Sequence, residues 1–360
     1  MTNDRFDDEE AFHARDRKQS RKERRHAQET DRSKFKKTDI KKESSQLDPA
    51  LPRGRVVAIS GEGAMVENHE GCRCLCSLKG LLKKEKMQAK NLIAVGDFVR
   101  FKESAIAHVE ERTSYLSRQD ITGRKEQLIA VNIDQVLITT SVINPPLKPA
   151  LIDRYIIAAR KGNMHPILII NKMDLLSEAS DEELELFQEF LSAYEPLGIP
   201  ILSVSTTTGL GVEALRSLMK DKSSVFSGQS GVGKSSLINA AFGLSLKTGD
   251  LALKTAKGSH TTSSAELLSL PGGGYCIDTP GIRGFGIWGL DKDDVTSHFV
   301  DIQQFSSQCK FPDCMHIQEP KCTVQKALEE GKISPLRYES YRTLLAEALG
   351  DIDNWTRDKL

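Results

Sequence analysis

The sequence predicts a multidomain chain: a small all-β barrel, an α/β domain with a mostly parallel sheet, and a small metal-binding helical domain. Three observations predict it. Short strands broken by glycine fill residues 51–117, and strands alternate with helices over residues 118–290. Within residues 291–360, three cysteines and a histidine crowd together ahead of two helical stretches.

A chain of 360 residues has room for a core in each of these units. Fifty basic and fifty acidic side chains cancel, but unevenly along the chain. No apolar run approaches the ~20 residues of a membrane span, and the best, Ile167 to Ile170, has the length of a strand. Residues 1–20 lack the apolar stretch of a secretory signal. Seven cysteines, in two clusters plus Cys276, do not form a disulfide framework. A soluble cytoplasmic protein with no membrane partner is expected.

Residues 1–50 are Arg, Lys, Asp, Glu, Gln and Ser, with Phe6, Phe12 and Phe35 almost alone as large apolar groups. They cannot bury enough surface to offset the entropy of ordering, so a disordered or conditionally helical arm is expected. Bases outnumber acids between Arg15 and Lys42, and a basic arm attracts polyanions, RNA above all. Over residues 51–117, Arg55–Ile59, Ala64–Glu67, Cys72–Cys76 and Asp97–Phe101 read as strands, with turns at Gly61-Glu62-Gly63 and His69-Glu70-Gly71. Four or five such strands suit a closed barrel of the OB type, whose face and loops commonly take RNA. Lys79, Lys83, Lys84, Lys86 and Lys90 would add positive charge near it. Cys72, Cys74 and Cys76 share a strand face by period two and read as small core side chains.

From residue 118 the pattern becomes strand–helix alternation. Strands are predicted at Asp134–Thr140, His165–Ile170, Pro200–Val204 and Ser223–Ser227, and helices at Pro149–Lys161, Asp181–Leu197 and Val212–Lys220. Ala265–Leu270 and Tyr275–Asp278 complete the sheet around a Pro271–Gly274 turn. The chain is organised on Gly228-Gln229-Ser230-Gly231-Val232-Gly233-Lys234-Ser235-Ser236, which lies between a strand and a helix beginning at Leu237. Glycines let the backbone approach phosphates, and N–H groups with the helix dipole behind them form an anion site. Lys234 can reach the β- and γ-phosphates, and the Ser235 hydroxyl can ligate Mg²⁺.

Asn171-Lys172-Met173-Asp174 stands at the end of a strand. An Asp there accepts from N1–H and N2–H₂ of guanine together, and adenine offers no matching pair of donors. Asn171 would tie this loop to the phosphate loop, and the Lys172 stem would lie over the base. The loop with Ser205 and Thr206 suits a backbone contact to guanine O6. Asp278-Thr279-Pro280-Gly281 suits the Asp that holds Mg²⁺ through water and the Gly whose N–H senses the γ-phosphate. In the polar loop Lys257–Thr262, Thr262 or Thr261 would be the second Mg²⁺ ligand, and the sequence does not say which. Asp174 precedes Gly228 here, whereas in most small GTPases the phosphate loop comes first. Joining the ends of a GTPase domain and reopening the chain elsewhere gives this order, so a circularly permuted P-loop GTPase binding GTP or GDP with Mg²⁺ is expected.

Cys309-x₄-Cys314-x-His316-x₅-Cys322 is a Cys₃His set of the closed, tetrahedral kind that holds one structural Zn²⁺. Thr323–Glu330 and Ser334–Leu349 follow as two helices around Gly331.

In these motifs the chain resembles the ribosome-small-subunit-dependent GTPases of RsgA/YjeQ type. The resemblance spans residues 51–360 and includes Asp153-Arg154-Tyr155, Gly228–Ser236, His260-Thr261-Thr262, Asp278–Phe285 and the Cys/His cluster. It implies GTP hydrolysis stimulated by the small ribosomal subunit during late maturation. Its partners would be that subunit, its rRNA and other assembly factors, and the chain would act as a monomer. Gly284 departs from the family, which usually carries an acidic residue there. Ile282 occupies the place of the water-orienting Gln of many GTPases and cannot hydrogen-bond water, so the resemblance makes His260 the catalytic candidate. The alternative is a GTP-controlled RNA-binding module with negligible turnover.

Overall fold

The computed structural model describes residues 48–78, 92–119, 126–246, 265–278 and 290–350. The chain separates into two units, residues 1–49 and 50–360, and the architecture below is that of the second. The basic arm and Lys79, Lys83, Lys84, Lys86 and Lys90 lie outside the described residues.

Five short strands form the first layer: β1 (Arg53–Ile59), β2 (Ala64–Asn68), β3 (Arg73–Cys76), β4 (Phe98–Lys102) and β5 (Ala105–Val109). Their order is β3-β2-β1-β4-β5, with antiparallel neighbours, and a parallel bridge from Ser77 to Ala105 brings the two edges together. Period-two alternation sends Val56, Ala64, Val66, Cys76, Val99 and Ile106 into a common interior, which gives an OB-like barrel. Cys72 does not join the strand face expected for it. Cys72 is exposed and precedes β3, because its N–H donates to Asn68 Oδ1 at 2.8 Å and draws it into the turn. Cys74 and Cys76 alone share the face, with their sulfurs 3.6 Å apart.

A hairpin that the sequence reading missed, β6 (Tyr115–Gln119) and β7 (Glu126–Val131), straddles the expected boundary at residue 117. Val131 N–H donates to Val95 O at 2.9 Å, which fastens the hairpin to the barrel.

The α/β layer contains β8 (Gln135–Ser141), α1 (Pro149–Lys161), β9 (His165–Asn171), α2 (Asp181–Tyr194), β10 (Ile201–Ser203), α3 (Val212–Met219), β11 (Ser223–Ser227), α4 (Lys234–Phe242), β12 (Glu266–Ser269) and β13 (Tyr275–Asp278). Sheet order is β10-β9-β8-β11-β13-β12, parallel except for β12. The inner strands β8, β9 and β11 are buried on both faces, so alternate side chains enter two cores. Val136, Ile138, Leu168, Ile170 and Val225 face α1 and α2, meeting Tyr155, Ile156 and Phe190. Leu137, Ile167, Ile169 and Phe226 face α3 and α4, meeting Leu215, Met219, Leu237 and Ala241. Helix α2 starts where Ser180 and Glu183 form a reciprocal capping box.

Beyond the sheet come α5 (Lys292–His298), α6 (Val300–Ser306), α7 (Thr323–Glu329) and α8 (Pro335–Leu349). The sequence reading anticipated only the last two. Val295, Phe299, Ile302, Val324, Tyr341, Leu344 and Leu345 form their core, and Ile157 of α1 joins it. Arg337 of α8 pairs with Asp153 of α1 and with Asp301, to which Nε and Nη2 donate at 2.9 and 3.0 Å. Burial opposes the Arg337 charge, but Asp153 and Asp301 outweigh it and hold the guanidinium protonated far above its usual range. Arg154–Glu347 and Lys161–Asp294 pair across the same junction. Among the described residues, no helix is long and apolar enough to cross a membrane.

Candidate functional site

Parallel strands end on one side of their sheet, and the predicted motifs lie at those ends. Asn171 ends β9, Ser205 lies just after β10, Gly228–Ser236 follows β11, and Asp278 ends β13.

The backbone of the phosphate loop is dictated by its glycines. Gly228 has φ +138°, and a Cβ there would lie 2.0 Å from Thr139 O, so any side chain would push the loop off β8. Gly233 has φ +92° and caps α4, and a Cβ on it would lie 2.5 Å from Asn171 Nδ2. That amide donates to Val232 O at 2.7 Å, which joins the loop after β9 to the phosphate loop. Ser230 and Gly231 are exposed, while Ser235 and Ser236 lie half-buried in the first turn of α4.

Lys234 curls back over this loop, with Nζ donating to Gly228 O at 2.8 Å and Gln229 O at 2.6 Å. Burial pulls its pKa down to about 8. The buried Asn171 Oδ1 and Gln229 Oε1 have no hydrogen-bond partner within the protein. A buried ammonium held by neutral oxygens, a glycine cradle and a helix N-terminus together fit a phosphate chain. The half-buried Ser235 hydroxyl in the same turn suits a hard divalent cation.

The second loop is organised around Asp174. Lys172 adopts a left-handed conformation at φ +62°, and its Nζ donates to Asn144 O at 2.6 Å. Met173 opens a 3₁₀ turn to Glu178, and its N–H donates to Val204 O at 3.2 Å. The Ser205 hydroxyl donates to Asp174 Oδ1 at 2.6 Å and holds the carboxyl below its usual range. Asp174 therefore stays ionised, and an ionised carboxylate can accept two N–H donors at once. Thr206 lies half-buried beside Ser205.

The loops after β9, β10 and β11 are thus brought together. His260, Thr261, Thr262 and Gly281 lie outside the described residues, and of Asp278 the strand backbone is described. Sequence reasoning missed three groups. Thr139 O packs under Gly228, Asn144 O holds Lys172, and Tyr155 hydrogen-bonds Ser227. Only Tyr155 carried a signal, as part of the Asp-Arg-Tyr run.

Among the described residues, Cys309, Cys314, His316 and Cys322 place one ligand atom each within 4.8 Å of all the others. Cys309 Sγ lies 3.9 Å from Cys322 Sγ, and both sulfurs lie 3.5 Å from His316 Nδ1. A tetrahedron with metal–sulfur bonds of ~2.3 Å has edges of ~3.8 Å, so the donor set fits such an ion. The surrounding loop is held by Glu319, which accepts from Met315 N–H and Ile317 N–H at 2.7 Å each, and by Tyr338, whose hydroxyl donates to His316 O at 2.6 Å.

The RsgA GTPase family model matches residues 109–288. The sequence is 40% identical to the small ribosomal subunit biogenesis GTPase RsgA of Chlorobaculum parvum, over 81% of this chain and 96% of that protein. It is 38% identical to RsgA 1 of Vibrio vulnificus, over 81% of this chain and 83% of that one. The crystal structure of YjeQ from Thermotoga maritima is similar with a TM-score of 0.67 and 33% identity, covering 83% of this chain and 99% of that chain. YloQ, described as a circularly permuted GTPase, is similar with a TM-score of 0.63 and 25% identity, covering 86% and 98%. With its guanine-type loop written ahead of its phosphate loop and both at the same end of the parallel strands, the chain belongs to the RsgA family of circularly permuted GTPases.

Proposed function

We propose that this protein hydrolyses GTP to GDP and phosphate, that the small ribosomal subunit stimulates turnover, and that the reaction serves late maturation of that subunit. The observation that carries the reading is the Asn171–Val232 hydrogen bond, which joins the loop bearing Asp174 to the loop bearing Lys234. The curated relatives, named small ribosomal subunit biogenesis GTPases, support the choice of partner.

In this reading Asp174 selects guanine by accepting its two donors, and Ser205 keeps that carboxylate ionised and aimed. Lys172 covers the base, with Met173 and Thr206 completing the pocket. Residues Gly228–Ser236 wrap the phosphates, and Lys234 exchanges its loop carbonyls for β- and γ-phosphate oxygens. Ser235 and Thr262, with Asp278 through water, would hold a magnesium ion, which supplies charge neutralisation when bound. Gly281 would sense the γ-phosphate, and His260 would orient the attacking water, because Ile282 cannot. Zinc on Cys309, Cys314, His316 and Cys322 would staple the C-terminal helices. The OB-like barrel, that helical module and the basic arm would hold rRNA in the cytoplasm, with other assembly factors nearby and the chain monomeric.

The test is phosphate release from GTP, with and without purified small subunits. Stimulated, saturable release is expected, and His260→Ala should abolish most of it while GTP affinity stays within about twofold. Absence of stimulated release would favour the second reading, a GTP-controlled RNA-binding module, for which Ile282 is the specific argument.

A further inference from the structure

Arg55 leaves the barrel on β1 and ends in the α/β layer, where it is 7% exposed. Its Nη1 donates to Ser223 Oγ at 2.7 Å and its Nη2 to Asn132 O at 2.7 Å. The guanidinium lies between the rings of Phe98 and Tyr275, 5.0 and 4.7 Å from their centroids. Ser223 and Tyr275 are the first residues of β11 and β13, and they are register partners. One barrel side chain therefore grips the starts of the two strands that end at the phosphate loop and at Asp278.

Glu67 of β2 grips the same corner. It accepts from Tyr275 Oη at 2.9 Å, from Ser269 Oγ at 3.1 Å and from Arg73 Nε at 2.8 Å. Strands β11 and β13 have five and four residues, so at ~3.3 Å per residue they are stiff rods of roughly 13–17 Å. A shift at their starts is delivered to their ends.

As a stabilising device Arg55 is a poor choice. Among the described residues no carboxylate oxygen lies within ion-pair distance of it, and its buried Nε has no partner. A buried cation held by neutral oxygens and ring faces costs more than an apolar side chain of the same volume. What the guanidinium provides, and an apolar chain would not, is a fixed geometry between Ser223, Asn132 and Tyr275.

We propose that Arg55 is a positioning residue: it holds the phosphate loop and Asp278, at the end of β13, at their working separation, and through it the barrel acts on both. The part concerning the barrel rests on the subunit-stimulated function proposed above; the part concerning the separation rests only on the magnesium site proposed there.

The test compares Arg55→Met, Arg55→Lys and Ser223→Ala in the full chain, with two readouts. The first is release of fluorescent GDP with and without Mg²⁺, which needs no ribosome. Arg55→Met should keep magnesium-free release within about twofold of wild type and lose at least about fivefold of the slowing that Mg²⁺ provides, because Asp278 is no longer held in place. Arg55→Lys should fall between the two. Ser223→Ala, which removes one of the two acceptors of the guanidinium, should show a smaller loss in the same direction and serves if Arg55→Met does not fold. An unchanged magnesium effect in folded variants would overturn the positioning role. The second readout is stimulation by small subunits, whose kcat should fall about tenfold in Arg55→Met with the half-saturating subunit concentration unchanged. Full stimulation in that variant would overturn transmission from the barrel. A wild-type protein that subunits do not stimulate would instead sink the functional reading, and the magnesium readout would then decide the positioning role alone.

Discussion

Replacing Arg337 by Met tests how the C-terminal module is held to α1. Asp153 is 2% exposed and keeps only neutral partners, Ser340 and the Tyr194 hydroxyl, which donates to it at 2.6 Å. Removing the guanidinium leaves this carboxylate buried and unpaired, at a cost of about 3–5 kcal/mol. The Arg337 guanidinium also covers the rings of Tyr194 and Phe299, 5.1 and 4.4 Å from their centroids, and the Met side chain replaces much of that apolar contact. Asp301 retains access to water and tolerates the loss. At about 2–4 °C per kcal/mol, Tm should fall by about 10 °C. The double variant Asp153→Asn, Arg337→Met removes both charges and should recover at least about half of that loss, because no ion is left stranded. Thermal unfolding followed by circular dichroism reads both. A single variant costing less than about 1 kcal/mol, or a double variant no better than the single, would refute a buried, mutually dependent pair.

Two further outcomes follow from the site. Burial alone pulls the Lys234 pKa down to about 8, and a bound phosphate chain raises it. Nucleotide affinity should therefore be full below pH 8 and decline above it, by about tenfold at pH 9, in calorimetric titrations between pH 7 and 9; a flat profile would refute a buried, phosphate-facing ammonium. Removing metal with a chelator should release about one zinc per chain and erase the near-ultraviolet signal of Tyr338 and Tyr341, which pack beside the Cys/His cluster. A retained signal with the metal gone would show that the loop folds without it.

Legibility followed the range of the interactions. Strands β8, β9 and β11 were readable to within about a residue: β8 and β9 carry the apolar runs Val136–Ile138 and Ile167–Ile170, and the short β11 is marked by the glycine loop that follows it. The β6–β7 hairpin was not, because Tyr115-Leu116-Ser117-Arg118-Gln119 carries little apolar periodicity and owes its place to pairing with β7. Helices α5 and α6 bury one residue each, Val295 and Ile302, and so show no 3.6-residue repeat, although the Asp291–Asp294 capping box was a usable signal. At the candidate site, local motifs such as Asn171–Asp174 and Gly228–Ser236 could be seen directly. Partners distant along the chain could not: Arg337 looks like one more polar residue of α8, and Arg55 like an outward strand residue, until the fold sets Asp153 and Tyr275 against them.

The most direct measurement is displacement of fluorescent GDP from the full chain by equal concentrations of unlabelled GTP and ATP. If Asp174 and Lys234 serve one pocket, GTP displaces the probe and ATP does not, and Asp174→Ala removes the preference while Lys234→Ala removes binding. Equal displacement by ATP, or an unchanged GTP preference in Asp174→Ala, would contradict the convergence of these loops on a guanine nucleotide.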